Sequence, residues 1–539
     1  MLHVLRFIAV AAPLFFAALP ADAAQPCARP ASGATATPPP DLYSQNGTLS
    51  VAFDYRTRQD RAGRTLFCFL TRDGAQSPTL HVRPGDTLSL TVTNHVPDVP
   101  SPMPNGTSHS RGTCTGGPLT GASLNVHFHG LNVAPTCHQD EVLKTVINSG
   151  QTYRYELKIP ADEPPGVYWY HPHIHGLAED AVLGGASGAI VVDGIENIQP
   201  AVAGLPSRLL IIRGQNPAVT SQVGDKPVPA WDNTLNYVPV SYPRYTPAVL
   251  NVAPGGREFW RVLNASAGTL IDVELRYDGI PQPLTVVGLD GVPIGSQDGM
   301  SRGQTLRRNH LLLAQASRAE FIITAPPPGT RTATFVTREV DTGPSGDADP
   351  SRPLAVLRTS GTPDALPVIP APSRTIPTVQ RFEGMDTAPL TARRHIYFSQ
   401  RPSNPSDPES ETDFFITVNG ETPVLFDGAN PPAIVTTQGA VEEWVISNRA
   451  QEPHVFHIHQ IHFQLRQVNG VTLPAEDQQM LDTVTIPYWS GTGPYPSVTL
   501  RMDFRGRVVG DFVYHCHILE HEDHGMMAII RVQPRTTGG

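Results

Sequence analysis

Apolar positions along this chain fall into short alternating runs, and one such run occurs three times. Leu80-His81-Val82-Arg83-Pro84-Gly85 leads to Val92-Thr93-Asn94. Leu250-Asn251-Val252-Ala253-Pro254-Gly255 leads to Val262-Leu263-Asn264, and Ile434-Val435-Thr436-Thr437-Gln438-Gly439 leads to Ile446-Ser447-Asn448. Apolar side chains at every second position suit a strand with one buried face. Each segment therefore predicts a strand, a Gly turn and a second strand, with Gly and Asn nine positions apart every time. Strand–turn–strand is common, so one occurrence carries little. Three at long separations predict three copies of one β domain. The expected edges are 45–195, 200–362 and 380–535, with a connector containing Pro363, Pro367, Pro370 and Pro372 before the third.

Composition agrees with many short strands. The 539 residues include 55 Pro and 46 Gly, which favour turns over long helices. A length of this order suits three or four domains. The net charge of −10 with no basic patch argues against nucleic acid as a partner. At the start, His3 and Arg6 precede a stretch from Phe7 to Leu19 that is apolar apart from Pro13, and Ala21-Asp22-Ala23 offers a cleavage site. That is the pattern of a secretory signal over 1–23, too short for a membrane span. No other apolar run is long enough to cross a bilayer, so the expectation is export, to a periplasm or to the outside, where disulfides form.

The chemistry concentrates in copies one and three. Tyr170-His171-Pro172-His173 precedes the apolar run Gly188-Ala189-Ile190-Val191-Val192, and Tyr514-His515-Cys516-His517 precedes Met527-Ala528-Ile529-Ile530. Earlier in the same copies, His127-Phe128-His129 matches His457-Ile458-His459; the middle copy has no such pair. Neighbouring side chains on a strand point to opposite faces, so i and i+2 imidazoles share one. One His-x-His pair is weak support for a metal; four placed symmetrically in two repeats are strong. The last motif continues through His521 to Met526. A thiolate with two imidazoles and a weak thioether is the donor set of a blue-copper site. Cys516 would face that site while His515 and His517 face a second one.

Together His127-Phe128-His129-Gly130, His171-Pro172-His173, His454-Val455-Phe456-His457-Ile458-His459 and the run from His515 to Met526 resemble the four copper motifs of the three-domain multicopper oxidases. That family includes laccases, ascorbate oxidases and bacterial cuprous oxidases. Phe128 stands where Trp is common and Val455 where Pro is usual, and neither change removes a ligand. The resemblance implies an all-β fold of three cupredoxin-like Greek-key sandwich or barrel domains in tandem. It implies four copper ions per chain: type 1 on His454, Cys516, His521 and axial Met526; type 2 on His127 and His457; one type 3 ion on His129, His171 and His517; the other on His173, His459 and His515. The implied reaction passes single electrons through Cys516 to His515 and His517 and reduces dioxygen to water.

Oxygen reduction needs protons, a role suited to carboxylates. Glu522 resembles the proton-relay Glu of bacterial members, and Asp140 sits where the family often has an acid near the cluster. Asp482 resembles an acid near the type 1 edge, which would orient His454, meet substrate or shape a turn. His175, His462 and His524 lie beside motifs whose ligand count is already full, so each is expected in a supporting or surface position. With Cys516 on copper, Cys27, Cys68, Cys114 and Cys137 can form two disulfides in three connectivities. Cys114 with Cys137, which bracket one segment, and Cys27 with Cys68 are preferred.

The expected donors are phenols and aromatic amines, as in a laccase. Cu(I) is the alternative, as in a cuprous oxidase of copper tolerance, although the eight Met are scattered with no Met-rich insert. A copper nitrite reductase would have two such domains and lack the second His after its Cys. A non-catalytic copper-binding scaffold would have lost ligands, and none of the twelve is missing.

Overall fold

Each repeated segment turns a corner between two β-sheets. In a computed structural model describing residues 25–99, 114, 118–296, 301–372, 381–407 and 410–535, the first strand of each repeat (Thr79–Val82, Ala248–Asn251, Ile434–Thr437) lies in one sheet. The second strand (Thr87–Asn94, Arg257–Asn264, Val441–Asn448) lies in the other. The turn glycines have positive φ, 91° at Gly85, 65° at Gly255 and 97° at Gly439, a conformation that any Cβ strains. The Asn nine positions on has a physical role too. Asn94, Asn264 and Asn448 are fully buried. Their Nδ2 groups donate to the loop carbonyls of Ala122 and Ile147, of Thr269 and Leu313, and of Glu452 and Pro487. Each Oδ1 accepts the N–H two residues on, at Val96, Ser266 and Ala450. One buried amide thus pins the segments that meet at each corner and is itself satisfied.

The result is three successive two-sheet sandwiches, each around its own core, with Trp260 in the second and Trp444 in the third. In every one the leading long strand pairs in parallel with the post-turn strand: Thr48–Gln59 with Thr87–Asn94, Ser207–Gln215 with Arg257–Asn264, Ala392–Pro402 with Val441–Asn448. The other sheet repeats one strand order. It runs Thr79–Val82, Gly188–Val192, Gly166–His171, His127–His129 in the first unit, and Ile434–Thr437, Met527–Gln533, Gly510–Cys516, His454–Ile458 in the third. The middle unit's equivalent of the last strand, Ile271–Tyr277, carries Asp272 and Glu274, ion-paired to Arg338 and, for Asp272, to His310.

Units one and three meet along a seam where the helices Ala178–Leu183 and Leu519–Asp523 pack together. The Asp523 carboxylate accepts the N–H groups of Gly176 and Glu179 across it. Both preferred disulfides are present, Cys27–Cys68 and Cys114–Cys137, leaving Cys516 as the free, buried thiol. The Pro-rich connector is docked: the Pro367 carbonyl accepts Ser207 N–H, and Leu205 and Ile369 bond to each other. The leader expected over 1–23 lies outside the described residues, among which no helix is long and apolar enough to cross a membrane.

Candidate metal centres

Strand pairing brings the four His-x-His pairs together. His127 lies opposite His171 in the first unit, and His457 opposite His515 in the third, with Phe456 opposite Cys516. Alternation then sends Phe128 and Ile458 into the cores of their own units, while the imidazoles face the seam. All eight are buried. Rings from different units stack, His127 on His459 at 3.7 Å and His129 on His457 at 3.9 Å between centroids. Trp169 walls one side, stacked on His171 at 4.1 Å.

On the opposite face of the strand Gly510–Cys516, the Cys516 thiol lies 3.8 Å from His454 Nδ1 and 3.7 Å from His521 Nδ1, and those nitrogens are 3.0 Å apart. Met526 is buried in the same core, its backbone bonded to Cys516 and His521. Phe414 stacks on His521 at 4.1 Å. Burial lowers His454 to about 3 and raises the Cys516 thiol to about 12. The imidazoles are thus neutral donors, and the thiol ionises once a cation's charge is beside it.

In the seam, the Nε2 atoms of His173, His459 and His515 form a triangle with edges of 3.1, 3.2 and 3.3 Å. Three nitrogens each about 2.0 Å from one tetrahedral metal, the spacing of zinc–imidazole sites, would stand about 3.3 Å apart. Elsewhere one ring nitrogen is held and the other left free. His127 Nδ1 is held by Asp140, His457 Nδ1 by the Asp482 carbonyl and His171 Nδ1 by the Pro172 carbonyl, leaving each Nε2 without a partner. His129 is the reverse, with Nε2 toward Asp482 and Nδ1 free. The donors of His127, His457 and His459 converge, as do those of His127, His129 and His171. Both nitrogens of His517 are unpaired, and its ring is 5.1 Å from that of His129 and 5.5 Å from that of His171. Burial first, then neighbouring imidazoles, holds His127, His129, His457, His459 and His517 far below the ordinary histidine value. Buried nitrogens left unpaired are costly; a bound metal supplies the missing partner. Neutral imidazoles with one thiol fit copper.

The carboxylates divide. Asp140 is buried and accepts from His127 Nδ1, Phe128 N–H and Gln460 Nε2, and burial raises it to about 7. Glu522 is buried with Oε2 3.0 Å from His515 Nδ1 and Oε1 3.5 Å from His173 Nδ1. Asp482 departs from the expectation of a type 1 edge. Its carboxylate pairs with Arg318 and faces His129, and its carbonyl holds His457, because the turn before the strand Thr483–Ile486 points inward to the seam. His462 is buried against the Asp290 carbonyl, His175 packs on Phe426, and His524 is exposed. Arg318, Asp290 and Gln460 have no signal in the sequence beyond their neighbours. So has Glu452, whose Oε2 is 3.7 Å from His521 Nε2. Burial, with Asp347 and Glu520 nearby and against a hydrogen bond from Gln400, raises Glu452 to about 7. A narrow cleft lined by Trp231, Thr269, Asp347, Glu452, Pro453 and His521 opens over this edge.

Two buried nitrogen and sulfur donor sites, joined through one strand of a tandem β-sandwich chain, define a redox metalloprotein. Family models described as multicopper oxidase match residues 118–197 and 398–536. The rice (Oryza sativa subsp. japonica) multicopper oxidase LPR1 homolog 3 is 23% identical over 85% of this chain and 93% of its own length. The Staphylococcus aureus multicopper oxidase mco is 33% identical over 22% of this chain and 24% of its own. Among solved structures, a multicopper oxidase from Campylobacter jejuni, described as a metallo-oxidase, superposes with a TM-score of 0.66 at 21% identity, covering 94% of this chain and 96% of that one. Residues 118–197 and 398–536 are thus multicopper oxidase domains, and the chain is an oxidoreductase with the cupredoxin-like fold that the sequence predicts.

Proposed function

We propose that this protein is an exported, laccase-like multicopper oxidase that couples one-electron oxidation of phenols or aromatic amines to four-electron reduction of dioxygen to water. The observation that carries the reading is the geometry around Cys516. Its thiol meets His454 and His521 on one face of a strand. Its covalent neighbours His515 and His517 turn to the imidazole cluster on the other. The type 1 ligands are His454, Cys516, His521 and Met526. Type 2 is held by His127 and His457, one type 3 ion by His129, His171 and His517, and the other by His173, His459 and His515. Copper bound there supplies one-electron redox chemistry and dioxygen reduction. The three domains span 45–195, 200–362 and 380–535.

The chain's own residues do the rest. His521 presents its Nε2 edge to the cleft, where a donor gives up its electron. Cys516 carries that electron into the backbone leading to His515 and His517. Asp140 fixes the His127 ring, and Glu522, close to two cluster imidazoles, hands protons inward. Oxidation of Cu(I) is the second reading. The carboxylates of Glu452, Asp347 and Glu520 around the His521 edge favour a cationic donor. Copper-reconstituted protein is expected to turn blue, to hold about four copper ions and to consume oxygen with a donor. Comparing a phenol, ascorbate, bilirubin and Cu(I) under one set of conditions separates the two readings. A colourless, copper-binding protein that leaves oxygen untouched would refute both.

A further inference from the structure

The middle unit contributes no imidazole to either site, yet it places one fully buried guanidinium beside the cluster. Arg318 opens the strand Arg318–Thr324. Its Nη1 and Nη2 donate to Asp482 Oδ1 and Oδ2 at 2.8 and 2.6 Å, a parallel two-bond pairing with the third unit. Its Nε donates to the Val167 carbonyl of the first unit at 3.0 Å. One side chain therefore ties all three units together. Asp290, also in the middle unit, accepts the Arg318 N–H at 2.9 Å and fixes the backbone from which the side chain springs.

Asp482 passes this constraint on in two directions. Its carbonyl accepts His457 Nδ1–H at 2.8 Å, and its Oδ1 lies 3.3 Å from His129 Nε2. His457 is thereby left with a free Nε2 and His129 with a free Nδ1, so one residue sets the tautomer of two rings from two units. Gly130, which follows the first His-x-His pair, makes the room. A Cβ there would come within 2.6 Å of Arg318 Nη2 and 2.7 Å of Asp482 Oδ2.

We propose that Arg318 is a positioning residue for the oxygen-reducing cluster: by clamping Asp482 it fixes the metal-binding faces of His457 and His129, so the ligand-free middle unit sets the geometry of the type 2 ligand and one type 3 ligand. This rests on the copper assignment above, and the test separates the two. Arg318→Lys keeps a charge but loses the paired fork. Arg318→Met with Asp482→Asn removes both charges, avoids an unpaired buried carboxylate, and keeps the 482 carbonyl. Both variants and the wild type are loaded with copper and examined for the blue absorption, for the type 2 electron paramagnetic resonance signal, and for copper retained against a chelator. Both variants should stay blue, because His454, Cys516 and His521 are untouched. Each should show altered type 2 hyperfine splitting and hold that copper about 10- to 100-fold more weakly, the usual effect of removing a ligand's supporting partner. Wild-type type 2 parameters and copper retention in both variants would overturn the role of Arg318. A wild type that never becomes blue would instead overturn the copper assignment.

Discussion

Replacing Asp140 tests whether a carboxylate holds the first cluster histidine. The side chain is buried and accepts three hydrogen bonds: from His127 Nδ1 and Phe128 N–H at 3.0 Å each, and from Gln460 Nε2 at 2.6 Å. Asp140→Ala strands the His127 and Phe128 donors and leaves Gln460 Nε2 only its 3.4 Å bond to the backbone carbonyl of residue 140. Each buried orphan costs roughly 1–3 kcal/mol, so a loss of about 2–6 kcal/mol follows from the two. Asp140→Asn behaves differently. Its Oδ1 still accepts two of the bonds, and Gln460, whose Oε1 has no partner, need only flip its amide to accept from the new Nδ2. Its stability should stay within about 1 kcal/mol of wild type at acidic pH. Urea unfolding of the copper-free proteins reads both values. Asp140 is raised in the folded state to about 7. Its contribution is therefore fully present below the unfolded carboxylate value and is lost as pH rises through about 7. Asn does not titrate, so stability should shift in favour of Asp140→Asn between about pH 4 and the folded value. An Asp140→Ala protein within about 0.5 kcal/mol of wild type would show that the carboxylate does not hold His127.

Cys516→Ser replaces the soft donor with a hard one, so the blue absorption and donor oxidation should vanish while the seam site still binds copper; a blue, active variant would refute the electron path. Glu522→Gln should keep the copper content and the blue band, yet slow turnover by about 10-fold or more. That loss should fall in reoxidation by oxygen rather than in reduction by donor, and reoxidation at the wild-type rate across pH would make Glu522 a bystander. Copper at about 1,000 times its dissociation constant should raise unfolding stability by about 4 kcal/mol per independent site, and thermal unfolding unchanged by copper would mean that the free imidazole nitrogens are not its ligands.

What the sequence displays well is whatever repeats with a strand's own period. The i, i+2 spacing of His127 and His129, or of His515 and His517, states directly that two rings share a face, and the ladder partner completes the neighbourhood. The nine-residue interval from Gly to Asn is legible for the same reason. It records one corner whose loop carbonyls need one buried amide, and Asn94, Asn264 and Asn448 each supply it. The two disulfides close short or bracketed segments within the first 137 residues, so spacing alone favoured the pairing that is present.

The pairing of Arg318 with Asp482 was illegible because its meaning arises between units. The two residues are separated by 164 positions, and neither lies in a patterned motif. Asp482 beside Thr483 in an apolar strand reads as a turn acid at the metal edge, and nothing local says that an arginine from another sandwich will neutralise it. Gly130 is the one local trace, and its cause is equally remote. Its positive φ permits a turn, but the space over its Cα is filled by a guanidinium and a carboxylate from two other units. The same logic explains how the middle unit dispenses with histidines. At the position of the ligand strand it carries Asp272 and Glu274, buried and paired with Arg338, where the other units carry imidazoles. It reaches the cluster through Arg318 and Asp290, and the cleft over His521 through Trp231, Thr269 and Asp347. A chain built from three copies can thus specialise by making one copy silent in ligands and decisive in how the other two are held together.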